Sequence, residues 1–165
     1  MAISEGRIKR EEFAHYLNCT PGGGTATYER LGSGMDSMSR ARNMEVNAVR
    51  DITGDTEITV TKGNETVDVS PYYAKRGTKL YEFISGLDDS DAELDETLTD
   101  YVEVKAWTEG GVVLNKAAKR ECYIEVAEVG GDTTGLVLNF NVHLRGAKVL
   151  GTWDPTTKTF TPATS

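Results

Sequence analysis

Leu136-Val-Leu-Asn-Phe-Asn-Val-His-Leu-Arg145 alternates between apolar and polar positions. Leu136, Leu138, Phe140, Val142 and Leu144 fall on one side and Asn139, Asn141, His143 and Arg145 on the other, the period of a strand with one buried face. After a break at Gly146 the chain closes with Gly151-Thr-Trp-Asp-Pro-Thr-Thr-Lys-Thr-Phe-Thr161. Asp154-Pro-Thr-Thr157 separates two short strand-like pieces there. Proline sets φ for the first turn position and aspartate bonds the turn backbone, so the end of the chain is predicted to be a hairpin.

Working outward, other segments carry the same two-residue period. Tyr101 to Trp107 offers Val102, Val104 and Ala106 as a core face, and Cys122 to Val129 offers Cys122, Ile124 and Val126. Thr56 to Thr61 and Glu65 to Val69 alternate on either side of Lys62-Gly-Asn64, which predicts a second hairpin. Thr27 to Leu31 is a weaker strand candidate. Leu80, Phe83, Ile84 and Leu87 instead follow the i, i+3, i+4, i+7 spacing of a one-sided helix over about residues 78–86, with Thr78 as cap and Gly86 near its end. Ser70-Pro71 ends the strand before it, since proline cannot continue a ladder. The predicted fold is mainly β: an antiparallel β-sandwich or barrel with one flanking α-helix.

Two regions lack a core pattern. Residues 1–24 read as an N-terminal arm on a glycine-rich hinge, Pro21-Gly-Gly-Gly24, leaving 25–165 as a single β-sandwich domain. Residues 33–55 read as a long loop or an extended hairpin beyond the body. They carry Met35, Met38, Met44, Val46 and Val49 among Arg40, Arg42 and Arg50, and a weakly patterned loop of that length is commonly interfacial.

Charge is uneven. The net charge is −8, and Asp88, Asp89, Asp91, Glu93, Asp95, Glu96, Asp100 and Glu103 account for all of it, because 26 − 8 = 18 acids remain against 18 bases. Such a block reads first as a solvated loop, then as a surface that repels nucleic acid or meets a basic patch on a neighbouring subunit. Bases are scattered, so tight DNA binding is not expected. Cys19 and Cys122 read as isolated thiols. No apolar run is long enough to cross a bilayer, and Met1 to Glu12 is too polar for a signal-peptide core, which predicts a soluble chain made in a cytoplasm.

Catalytic chemistry has no foothold in the sequence. Gly22-Gly-Gly24 and Gly32-Ser-Gly34 lack the lysine or the spacing that phosphate cradling needs. His15 and His143 lie in different elements, and a histidine-based site would require their convergence with partners in space. No enzyme, metal or cofactor is expected.

The order of these pieces resembles the major tail proteins of long-tailed bacteriophages of the siphophage type. Thr27-Tyr-Glu-Arg-Leu-Gly-Ser-Gly34 looks like the family's opening strand, and the helix after Thr78, the Asp-rich stretch and Tyr101 to Trp107 follow in the family's order. Leu136 to Arg145 and the Gly-Thr-Trp-Asp-x-x-Thr-Lys-Thr-Phe close are the most specific pieces. The resemblance implies a structural virion protein made late in infection, a homohexameric ring that stacks into a tail tube. That tube would enclose the tape-measure protein, meet tail-tip and tail-terminator proteins, and conduct DNA in transit during genome ejection, with no membrane partner. It also implies that residues 33–55 reach an adjacent ring. Met35, Met38, Arg40, Arg42, Met44, Val46 and Arg50 are then the intersubunit candidates. Asn139, Asn141 and His143 become candidates for a lumen or solvent-facing wall. Two other readings are an inner tube or terminator of a contractile tail or injection machine, and a carbohydrate- or adhesion-type β-sandwich module. The sugar reading requires Trp107 and Trp153 to be exposed and adjacent.

Overall fold

Phe13–Asn18 forms β1, an interior strand of the sheet. In this computed structural model, which describes residues 6–109 and 111–164, it is followed by β2 (Tyr28–Leu31), β3 (Met38–Ala41), β4 (Glu45–Arg50), β5 (Thr56–Thr61) and β6 (Thr66–Val69). Helix α1 (Lys79–Asp89) comes next, then three long strands, β7 (Leu98–Glu109), β8 (Val112–Asp132) and β9 (Gly135–Asp154), and last β10 (Thr159–Pro162). The main sheet is antiparallel and runs β2-β1-β7-β8-β9-β6-β3, with β10 on the end of β9. β4 and β5 pair only with each other.

Two apolar cores lie on opposite faces of β1, β7 and β8. Leu17, Tyr101, Cys122, Phe140, Val142 and Val67 belong to the larger one, which fills the inside of the curl and is closed by Leu80 and Ile84 of α1. Ala14, Tyr16, Val102, Val104 and Ala117 face the other way, under Trp153. Burial on both sides explains why β1 was unreadable as a strand: its sequence, Phe-Ala-His-Tyr-Leu-Asn, has no polar face to alternate with. The expected arm over 1–24 is therefore corrected. Residues 1–5 lie outside the described part, and 13–18 are held between β2 and β7.

Helix α1 starts as predicted, with Thr78 Oγ1 accepting from Tyr81 N at 3.3 Å. Glu29 of β2 adds a carboxylate at the same end, accepting from Lys79 N and Leu80 N at 3.2 and 3.1 Å, where the helix dipole favours negative charge. The helix continues past Gly86 to Asp89. The C-terminal hairpin also forms as predicted, with Asp154 Oδ1 accepting from Thr156 N at 2.9 Å.

The hairpin expected around Lys62-Gly-Asn64 does not form. β5 turns back on β4, while β6 joins β3 and β9 in the main sheet. Gly63 marks a close approach rather than a turn: a Cβ there would stand 1.6 Å from the carbonyl oxygen of Asn43, where the two legs of the excursion pass. The stretch expected as a weakly patterned loop, 33–55, thus holds β3, all of β4 and the turn into β5, and takes the extended-hairpin form.

Candidate functional site

The β4–β5 ribbon projects from the body, and none of its strand residues is buried. Cross-strand pairing sets Val46 against Val60 and Ala48 against Ile58, so one face of the ribbon is an apolar stripe. Val46, Ile58 and Val60 are 63%, 62% and 55% exposed. The tip is locally closed: Asp51 Oδ1 accepts from Thr53 N at 2.9 Å and from Asp55 N at 3.1 Å.

Below the ribbon, charged side chains from both of its legs enter the curl. Arg40 Nε donates to Glu103 Oε1 at 2.6 Å, and Arg40 Nη1 donates to Glu65 Oε1 at 3.0 Å. Arg120 pairs with the other oxygen of Glu65, and Arg42 Nε stands 3.5 Å from Oε1. Glu103 in turn accepts from the Tyr101 hydroxyl at 3.0 Å, and that hydroxyl bonds Nδ1 of His15. Arg10 Nη2 lies 3.0 Å from Nε2 of the same ring. A guanidinium only donates, so Nε2 accepts and the ring proton is on Nδ1. The donors then run in one direction, from Arg10 through His15 and Tyr101 to Glu103. Desolvation, then Arg10, Arg40 and Arg30, hold the His15 imidazole down to a pKa of about 3, and burial next to Glu103 pushes the Tyr101 phenol up. Neither is poised to exchange a proton near neutrality. The network ties β1, β3, β7 and β8 together as a structural brace.

Sequence reasoning named Met44, Val46 and Arg50 as intersubunit contact candidates, and the structure places them at the base of the ribbon and along it, exposed. It misplaced three others. Met38 is buried in the main core and Met35 packs against that core. Arg40, expected to find acids across an interface, finds them in its own chain at Glu65 and Glu103. Arg42 stays largely exposed beside Glu65. The convergence of His15 with Tyr101 and Glu103 was missed; its one visible trace is the i, i+2 pair of Tyr101 and Glu103, which shares a strand face.

Asn139, Asn141 and His143 stand together on the outer side of β9, half-buried against acids of the neighbouring strands. Asn139 donates to Glu128 at 3.3 Å, and His143 Nε2 meets Glu125 at 2.6 Å. Hydrogen bonds from His143 and Asn141 lower the Glu125 pKa. Arg145 Nε reaches Glu121 at 3.2 Å.

The acidic block is not one loop. Asp88 to Glu96 is exposed at the end of α1 and in the 3₁₀ turn of Leu94–Thr97, whereas Asp100 lies 3.9 Å from Lys119 and Glu103 is buried. Both cysteines are buried and free, and burial raises the Cys19 thiol to about 12. Trp153 is 3% exposed, tilted against Tyr16 and edge-on to Tyr28 at centroid distances of 4.5 and 5.3 Å, so it offers no platform to a sugar. Among the described residues no group of His, Cys, Asp and Glu is placed to hold a metal ion, and no helix is long and apolar enough to cross a membrane. Compared with known protein families and with curated proteins, the chain matches none.

Proposed function

We propose that this chain is the tail tube subunit of a long-tailed bacteriophage, a structural protein whose hexameric rings stack into the tube. The observation that carries this reading is the β4–β5 ribbon. A lone two-stranded ribbon is marginal in water, and this one presents an apolar stripe to solvent that nothing among the described residues covers. A neighbouring subunit supplies the missing surface. Edge strands β2 and β3 leave ladder groups for lateral pairing, which a closed ring would satisfy.

The wall of β9 supports the same reading. Asn139, Asn141 and His143 are set among Glu121, Glu125, Glu128 and Asp68, with Arg145 the fixed cation of that strip. A polyanion gains little on such a surface, which suits a conduit through which DNA slides. The tape-measure protein before ejection, and tail-tip and terminator proteins at the ends, are the remaining partners of this reading, with the virion as its location.

Electron microscopy and sedimentation of the purified chain test it. Rings or tubes are expected as concentration rises or when the tail-tip complex is added. Monomer alone under both conditions would overturn the assignment.

A further inference from the structure

Three lysines line the mouth of the curl at the end away from α1. Lys105 of β7 and Lys116 of β8 are direct cross-strand partners, and Lys148 of β9 joins them with Arg40 and Glu103 around a cavity of about 130 Å³. Like charges directly opposite on a ladder are destabilising. Among the described residues no carboxylate lies within ion-pair distance of any of the three lysines, because Glu103 and Glu65 are already held by Arg40 and Arg120. Desolvation, and then the Arg40 guanidinium, hold the Lys148 ammonium below its ordinary value. All three lysines are exposed. Exposed Leu150 borders the same cavity.

The opposite charge sits at the other end of the same strand. Asp88, Asp89, Asp91, Glu93, Asp95 and Glu96 are exposed with no base in the stretch, and Leu94 stands out among them at 82% exposure. From Leu98, which follows this segment, to Lys105 is about 23 Å at the rise of a strand. The Debye length is about 8 Å at physiological salt, so the two patches do not neutralise each other within one subunit.

We infer that the cationic mouth of Lys105, Lys116 and Lys148 seats the acidic segment Asp88 to Glu96 of a second copy of this chain. The contact joins unlike patches from opposite ends of the subunit. It is therefore head-to-tail, the kind that propagates into rings or stacks instead of stopping at a two-fold dimer. Leu94 enters the mouth against Leu150 while the carboxylates surround it and meet the lysines. This contact rests on the self-assembly proposed above and names which surfaces meet.

The test uses two double variants of the full chain, Lys116→Glu with Lys148→Glu, and Asp91→Lys with Glu93→Lys. Each alone is expected to raise the concentration at which assembly begins by roughly tenfold or more, and an equimolar mixture restores it toward the wild-type value. In the first variant Lys116→Glu replaces a repulsive cross-strand pair with an attractive one and Lys148→Glu sets a carboxylate near Arg40, so its monomer melts no lower than wild type, which separates lost assembly from lost folding. A second measurement uses unaltered protein: carbodiimide coupling of mixed heavy and light chains should join Lys105, Lys116 or Lys148 to residues 88–96 across chains. If both variants assemble at the wild-type threshold, or the mixture does no better than its parts, the seat is wrong while the tube reading stands. If wild-type protein neither assembles nor yields heavy-to-light links, both fall.

Discussion

Arg40 of β3 and Glu103 of β7 face each other across the interior of the curled sheet, with Nε 2.6 Å from Oε1. These strands are far apart in the ladder order, so the pair ties one side of the curl to the other beneath the ribbon. Glu103 is buried while the Arg40 side chain is 17% exposed, so losing Arg40 leaves a buried charge short of a partner at a cost of up to about 3–5 kcal/mol. Arg40→Met is expected to lower unfolding stability by that order in denaturant titration. A loss below about 1 kcal/mol, the range of exposed pairs, would show that water reaches Glu103.

The His15 environment predicts a pH dependence. Its folded pKa of about 3 lies below the unfolded value of 6.5, so between those values the unfolded chain binds a proton that the folded chain refuses. Stability is then full above pH 6.5 and falls by about 1.4 kcal/mol per pH unit as the pH drops toward 3. The groups facing the ring are Arg10, Arg30, Arg40, Tyr101 and Glu103, and all but Tyr101 and Glu103 oppose its protonation. His15→Gln keeps an acceptor for Arg10 and removes the titration. Its stability curve between pH 6.5 and 4.5 is expected to be flatter than wild type, and an unchanged slope would place the proton uptake elsewhere.

Gly63 supplies a third test. Alanine there puts its Cβ within 1.6 Å of Asn43 O, at the point where the ribbon leaves the body. The two legs must part, which disturbs Asn43 Nδ2 where it donates to Asn64 O at 2.8 Å. Gly63→Ala is expected to leave the main sheet intact by near-ultraviolet circular dichroism and to redirect the ribbon, so that assembly fails in monomer of normal melting behaviour. Normal assembly would mean that the ribbon's exit angle carries no information.

What the sequence disclosed follows from how many faces of each element are buried. Leu138 to Leu144 and Cys122 to Val126 have one apolar side in the core, so their alternation was visible and placed them correctly, whereas Leu136, read onto the same face, lies beyond the core and is exposed. Helix α1 was legible for the same reason, in the stripe of Leu80, Phe83, Ile84 and Leu87. β1 was hidden because Tyr16 enters one core and Leu17 the other. β4 was hidden by the opposite circumstance, since all six of its residues are exposed and neither face is marked by burial. Arg40 and Met38 were misassigned as contact residues because the same polar-apolar mixture describes a projecting ribbon and the strand that anchors it. Lys62-Gly-Asn64 misled because a glycine demanded by the passage of another backbone is indistinguishable in sequence from one demanded by a turn.

The ribbon's apolar stripe gives the last prediction. Val46, Ile58 and Val60 are more than half exposed in the subunit, so Val46→Thr, Ile58→Thr and Val60→Thr together should change unfolding stability by no more than about 0.5 kcal/mol each, the range of ordinary surface substitutions. Threonine keeps the branched Cβ that suits a strand, so ribbon pairing is retained while the apolar contact is lost. In the assembled particle the same three side chains are expected to be covered, each contributing the burial of an aliphatic group, about 1.5–3 kcal/mol. Hydrogen exchange separates the two states: backbone amides of 45–61 should exchange fast in the isolated wild-type subunit and slowly once assembled. The triple variant should stay monomeric at concentrations where wild type forms rings or tubes. Equal protection of 45–61 in monomer and assembly, with the variant assembling normally, would show that the ribbon is stable alone and that the interface lies elsewhere on the subunit.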